Sequence, residues 1–173
     1  MGERHEDRFN AIMDLIGTTD GKATAIEIDV VARMADRKSN EEKGNASENK
    51  FMFYAVRLPE VVNLRNASAE EIYFLKIDKW ITFDKSLHLP ELPVQIKSSR
   101  KAVNIYKEGD PETGKRPRPE FIKLNGIQIV INCGKSVGMP EFKSQMTDEI
   151  QRITNALHRR PTLIQAIEKI NQR

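Results

Sequence analysis

Three runs rich in β-branched and aromatic residues stand well apart in the chain: residues 73–83 (YFLKIDKWITF), 94–99 (VQIKSS) and 127–131 (IQIVI). Between and around them lie segments whose apolar residues recur every three or four positions. Strand signals separated in this way do not fit a helical bundle, so the pattern predicts an α/β fold with a small central mixed sheet flanked by helices. The 173 residues suffice for one domain, residues 1–173.

Phe9, Ile12, Met13 and Ile16 predict a first helix over residues 6–16, stopped by Gly17. Ile26, Val30, Val31 and Met34 predict a second over 24–37, although its β-branched residues keep a strand over 25–32 as the alternative. Phe142, Met146, Ile150, Ile153 and Leu157, then Leu163, Ile164, Ile167 and Ile170 after Pro161, mark C-terminal helices within 141–172. Residues 37–50 (RKSNEEKGNASENK) hold no hydrophobic side chain larger than Ala46, which predicts a mobile loop. Residues 84–93, with two prolines, read as a turn with an irregular return, and 107–119 as a second loop. Residues 121–124 read as a short strand ahead of a tight turn at Asn125-Gly126.

Cys133 is the lone cysteine, which rules out an internal disulfide and a four-thiolate zinc site and fits a reducing compartment. Residues 1–8 are charged and no long apolar run follows, the pattern expected of a cytoplasmic protein with no membrane partner. The formal charge is only +3, but Lys97, Arg100, Lys101, Lys107, Lys115, Arg116 and Arg118 crowd one stretch, a composition that attracts a polyanion.

If residues 73–83 return antiparallel as 94–99, Asp78 falls opposite the neighbourhood of Lys97 and Ser98, and Asp84 falls at the turn opposite Glu91 and Leu92. Gln95 and Lys97, two apart, point from one face. A carboxylate and a neutral oxygen can hold Mg²⁺, with Mn²⁺ as an alternative. A neighbouring lysine can deprotonate a bound water or offset charge building on a phosphate. Glu6 from the first helix is the candidate that completes the metal shell. Trp80 alternates with Asp78, so it either shares the site's face and stacks on a base or fills the core. His5, His88 and His158 lack metal-motif spacing, and His88 alone falls where it can approach the site from the turn. The NCGKS string at Cys133 lacks the upstream glycine of a phosphate loop, since Ile129 holds that position.

Asp78, Gln95 and Lys97, followed by Ser98 and Ser99, resemble the core motif of the restriction-endonuclease-like (PD-(D/E)XK) nuclease superfamily. In that family a strand carries Glu or Gln, one spacer and Lys, after an Asp on the preceding strand. The close likeness covers residues 78–99. The order of elements over residues 5–131 is compatible with the family core of a helix, three strands, a helix and a last strand. Ile77 replaces the family's Pro before the Asp, and Gln95 stands where Glu is commonest. Asp84, and Asp29 if its segment is a strand, are rivals for the Asp role.

The resemblance implies a metal-dependent DNA endonuclease, with Asp78, Gln95 and Glu6 around Mg²⁺ and Lys97 as its catalytic partner. Arg100, Lys101, Lys115, Arg116 and Arg118 would then meet DNA phosphates. Many members act as dimers, so a homodimer is compatible. A nucleic-acid-binding or structural protein on the same scaffold, with a decayed site, is the alternative.

Overall fold

The computed structural model describes Asn10, Met13, Asp14 and residues 25–171. The chain divides into two compact units, Met1–Asn45 and Ala46–Arg173. In the first unit every described residue is helical. The helix expected over 6–16 lies outside the described residues except for Asn10, Met13 and Asp14, and Glu6 lies outside them altogether.

Helix α1, Ala25–Ala55, begins in the first unit and ends in the second. It settles the helix-or-strand choice at 25–32 in favour of helix and corrects the loop expected at 37–50. Apolar content misled there. Arg, Lys, Glu and Ala are good helix formers whatever their polarity, and pairs such as Lys38 and Glu42 stand four apart. Gly44 sits inside this helix, with nothing within 4 Å of where a Cβ would stand. Gly44→Ala is therefore expected to stabilise the protein by about 0.5–1 kcal/mol in chemical denaturation. A loss of stability would contradict a helical 37–50.

The second unit is built on a four-stranded sheet in the order β1 (Val61–Asn66), β2 (Lys79–Phe83), β3 (Leu92–Lys97) and β4 (Ile129–Asn132). β1, β2 and β3 run antiparallel, and β4 lies parallel to β3 after a crossover. The crossover carries α2 (Arg100–Glu108) and α3 (Pro119–Lys123), and the chain ends in α4 (Met139–Arg159) and α5 (Thr162–Asn171). The α/β class with a mixed sheet flanked by helices is thus as expected. Among the described residues no helix is long and apolar enough to cross a membrane.

Several expected boundaries move, each for a local reason. The strand expected over 73–83 begins only at Lys79, because Glu71–Leu75 forms a π-helical turn. Ser68 and Glu71 cap that turn reciprocally: Ser68 N–H donates to Glu71 Oε2 at 2.6 Å, and Glu71 N–H to Ser68 Oγ at 3.2 Å. β3 stops at Lys97, since Ser99 accepts from Ala102 N–H and caps α2. Residues 121–123 end a short helix opened by Pro119 at its first position and capped by Leu124, and do not form a strand. Strand β1 was not foreseen, as its exposed Val62, Asn63 and Asn66 break the alternation.

β3 and β4 are buried almost throughout, as strands covered on both faces should be. One face meets a large core that includes Phe51, Ile81, Val94, Ile96, Ile129, Phe142 and Ile153. Val130 meets a smaller one with Val103 and Tyr106 of α2. Cys133 lies in the larger core, where burial pushes its thiol up to about 12, so it is the inert apolar residue expected.

Candidate functional site

The site stands on the sheet face that α2 covers. β2 and β3 pair through Lys79 with Val94 and Trp80 with Pro93, so Asp78 comes opposite Gln95, two residues short of the expected Lys97. Asp78 N–H donates to Val94 O at 2.8 Å and holds that register one step beyond β2. Gln95 and Lys97 alternate with the core residues Val94 and Ile96, which puts both polar side chains on the opposite face.

Asp78, Gln95 and Lys97 are brought together. The Gln95 amide donates to Asp78 Oδ2 at 2.5 Å, and Ile96 N–H donates to the same oxygen at 2.6 Å. Burial raises the Asp78 carboxyl to about 6; the Ile96 N–H opposes the rise, and Glu48 adds to it. Burial pushes the Lys97 ammonium below its ordinary value, while Asp78 holds it up. The Lys97 Nζ also lies 4.6 Å from the centre of the Tyr106 ring. Tyr106 in turn donates its hydroxyl to Gln128 Oε1 at 3.0 Å, which fixes the ring under the lysine.

Other candidates separate from this cluster. Trp80 is fully buried in the larger core and cannot stack on a base. Its indole donates to Glu71 Oε1 at 3.0 Å, and the Arg65 guanidinium covers its ring at 4.7 Å. Asp84 accepts from Ser86 N–H and caps the 3₁₀ turn Lys85–Leu87. His88 ends that turn, so both residues belong to the far end of the hairpin. Asp29 lies on α1, not on a strand. Of the five expected phosphate contacts, Arg118 acts on Lys97, whereas Lys101 pairs with Glu112 at 3.7 Å. Arg100 borders a separate hollow beside Lys107 and Glu149, and Lys115 and Arg116 are exposed on the loop after α2.

Three residues at the site escaped the sequence. Glu48 acts on Asp78 from α1 and pairs with Lys79 at 3.1 Å. It lay in the segment read as loop, so no face could be assigned to it. Lys76 and Glu120 both act on Lys97. Glu120 Oε2 is buried and makes no hydrogen bond among the described residues, which leaves an acceptor open beside the cluster. A Pro-Glu pair at a helix start was the signal for it.

Among the described residues no three His, Cys, Asp or Glu side chains are grouped to hold a metal. The donors present, one carboxylate and one amide that can turn its oxygen toward Asp78, suit a hard cation that keeps most of its waters. They do not suit zinc, which asks for several nitrogen or sulfur ligands. No family model matches the chain, and comparison with curated proteins and with solved structures finds no match either.

Proposed function

We propose that this protein is a metal-dependent nuclease that hydrolyses phosphodiester bonds of DNA, with Asp78 and Gln95 as ligands of Mg²⁺ or Mn²⁺ and Lys97 as the catalytic partner. The observation that carries this reading is the meeting of Asp78, Gln95 and Lys97 on one sheet face, with the Asp78 carboxylate acting on the lysine. The order helix, three antiparallel strands, crossover helices and a last parallel strand agrees with the core that the motif's resemblance implies. Glu48, on the first helix of that order, acts on Asp78 and pairs with Lys79.

A bound divalent ion would supply Lewis acidity toward the phosphate and a more acidic water. The chain's residues do the rest. Ile96 N–H and the Gln95 amide orient the Asp78 carboxylate. Lys97, whose ammonium burial disfavours, is the group to orient or deprotonate the attacking water or, as the ammonium, to offset charge on the phosphate. Arg118 and Lys76, both exposed and both acting on Lys97, are the cations for backbone phosphates.

Supercoiled, linear, branched and single-stranded DNA incubated with Mg²⁺ or Mn²⁺ test this reading. Cleavage should appear with metal and vanish with chelator. Lys97→Ala should slow it about 100- to 1,000-fold, while binding measured in Ca²⁺ is retained. The hydrogen-bonded closure of Gln95 on Asp78 is also what a metal-free binding scaffold would show. If the wild type cuts none of these substrates, a nucleic-acid-binding or structural role replaces the enzyme.

A further inference from the structure

The π-helical turn Glu71–Leu75 exposes two adjacent aromatic rings, Tyr73 at 70% and Phe74 at 64%. They stand edge to face, with centroids 5.0 Å apart, so each ring limits the other's rotation. Neighbouring aromatic rings left in water forgo their burial energy, and such patches mark surfaces that something covers. π-helical turns are themselves frequent at functional sites.

The charges around the pair say what covers it. Lys76, in the left-handed conformation that ends the turn, is exposed, and its Nζ lies 5.3 Å from the centre of the Tyr73 ring. Ile77 alone separates this lysine from Asp78, so the turn leads directly into the strand segment that carries the site's carboxylate. α3 packs against the turn and brings exposed Arg118 and Lys123 with it. The acids of the turn stand at its start, and Glu71 is engaged by Ser68, Arg65 and Trp80. Aromatic faces flanked by cations suit a polyanion with flat rings. In a duplex each base face is covered by its neighbours, so only unpaired bases can stack on a side chain without further unstacking.

We propose that Tyr73 and Phe74 form a base-stacking step on the turn that leads into Asp78, which makes unpaired nucleic acid the substrate, with Lys76 and Arg118 on the phosphates. The word substrate rests on the nuclease reading, whereas the stacking step itself needs no cleavage. Trp80, the aromatic residue the sequence singled out, keeps its place in the core.

Binding in Ca²⁺ of a labelled oligothymidine and of a blunt duplex of equal length, followed by fluorescence anisotropy, separates the two. The wild type should prefer the oligothymidine. Tyr73→Ala and Phe74→Ala should each weaken that complex about 5- to 150-fold, the equivalent of one lost stack, with little change for duplex. Tyr73→Phe should bind as wild type, because the ring face is kept. Both rings are exposed, so thermal melting of the variants should match wild type and exclude misfolding. Tyr73→Trp adds a direct readout, since its indole emission should be quenched by oligothymidine. The proposal is overturned if Tyr73→Ala/Phe74→Ala holds oligothymidine as tightly as wild type, if duplex binds more tightly, or if neither binds at low salt, which would leave the patch to a protein partner. Duplex bound and cut would keep the nuclease and remove the stacking step. Ring-dependent binding without any cleavage would do the reverse.

Discussion

Asp78→Asn is expected to lower metal-dependent cleavage by well over 100-fold and, in the same protein without metal, to raise stability above pH 6. The first effect follows from losing the one carboxylate the cluster offers; even outer-shell partners of metal ligands are worth about 10- to 100-fold. The second follows from burial. The Asp78 carboxyl titrates near 6 in the folded chain against 3.8 ordinarily, so its contribution is fully present below 3.8 and is lost as pH rises through about 6. At neutral pH the ionised group costs at most about 3 kcal/mol in the absence of metal. Asn stays neutral and, with its oxygen in the place of Oδ2, keeps both donors, the Ile96 N–H and the Gln95 amide. Thermal melts between pH 4 and 8, with chelator and with Mn²⁺, check this. Wild type should fall relative to Asp78→Asn as pH rises, and metal should restore wild type alone. Parallel melting curves across that range would remove the ionised, buried Asp78 on which the metal site depends.

The largest loss of stability is expected at Glu149. This buried carboxylate accepts from Val130 N–H at 3.1 Å and from Arg152 at 2.9 Å, and it pairs with Lys107. Burial alone would raise it, yet Arg152 and Lys107 hold it below its ordinary value. Its contribution is therefore present above the ordinary 4.5 and is lost as pH falls below it. Glu149→Ala leaves a strand N–H and two cations without their acceptor, so the loss should be about 3 kcal/mol, the low end for a broken buried pair because Arg152 can regain water. Glu149→Gln, which keeps the contact to Val130, should lose less. Urea unfolding at pH 7 measures both, and a Glu149→Ala midpoint indistinguishable from wild type would refute the role given to this network.

What the sequence made legible follows from periodicity. The C-terminal helices and β4 carry dense, regular apolar patterns, and the helices expected within 141–172 form at Met139–Arg159 and Thr162–Asn171. Pairing of the two central strands and the shared face of Gln95 and Lys97 were legible for the same reason. The register was not, because it depends on how the 3₁₀ turn and the left-handed His88 use up residues, which no apolar pattern records. Residues 37–50 failed as a loop because hydrophobicity marks burial, not helix formation. At the site, strand alternation found Asp78, Gln95 and Lys97. It missed Glu48, Lys76 and Glu120, which reach the cluster from a helix, a turn and a crossover. Such contributions are set by tertiary packing, beyond the reach of local spacing.

The long helix is fastened by an unusual clasp. Lys50 Nζ donates to the carbonyls of Gly134, Lys135 and Val137 at 2.7, 2.9 and 3.3 Å. Phe51 and Tyr54 close on Phe142, with ring centroids 5.8 and 5.3 Å away. These partners are more than eighty residues apart in the chain, whereas neighbouring strands of the sheet are also neighbours in sequence. Closing so long a loop has a large entropic cost, and its reward exists only once β4 and the turn after it are in place. On this connectivity the sheet is expected to form from β1 to β4 before the second half of α1 docks, so that Lys50→Ala should speed unfolding and leave refolding nearly unchanged in stopped-flow kinetics. The clasp then governs how fast the finished protein comes apart more than how fast it forms.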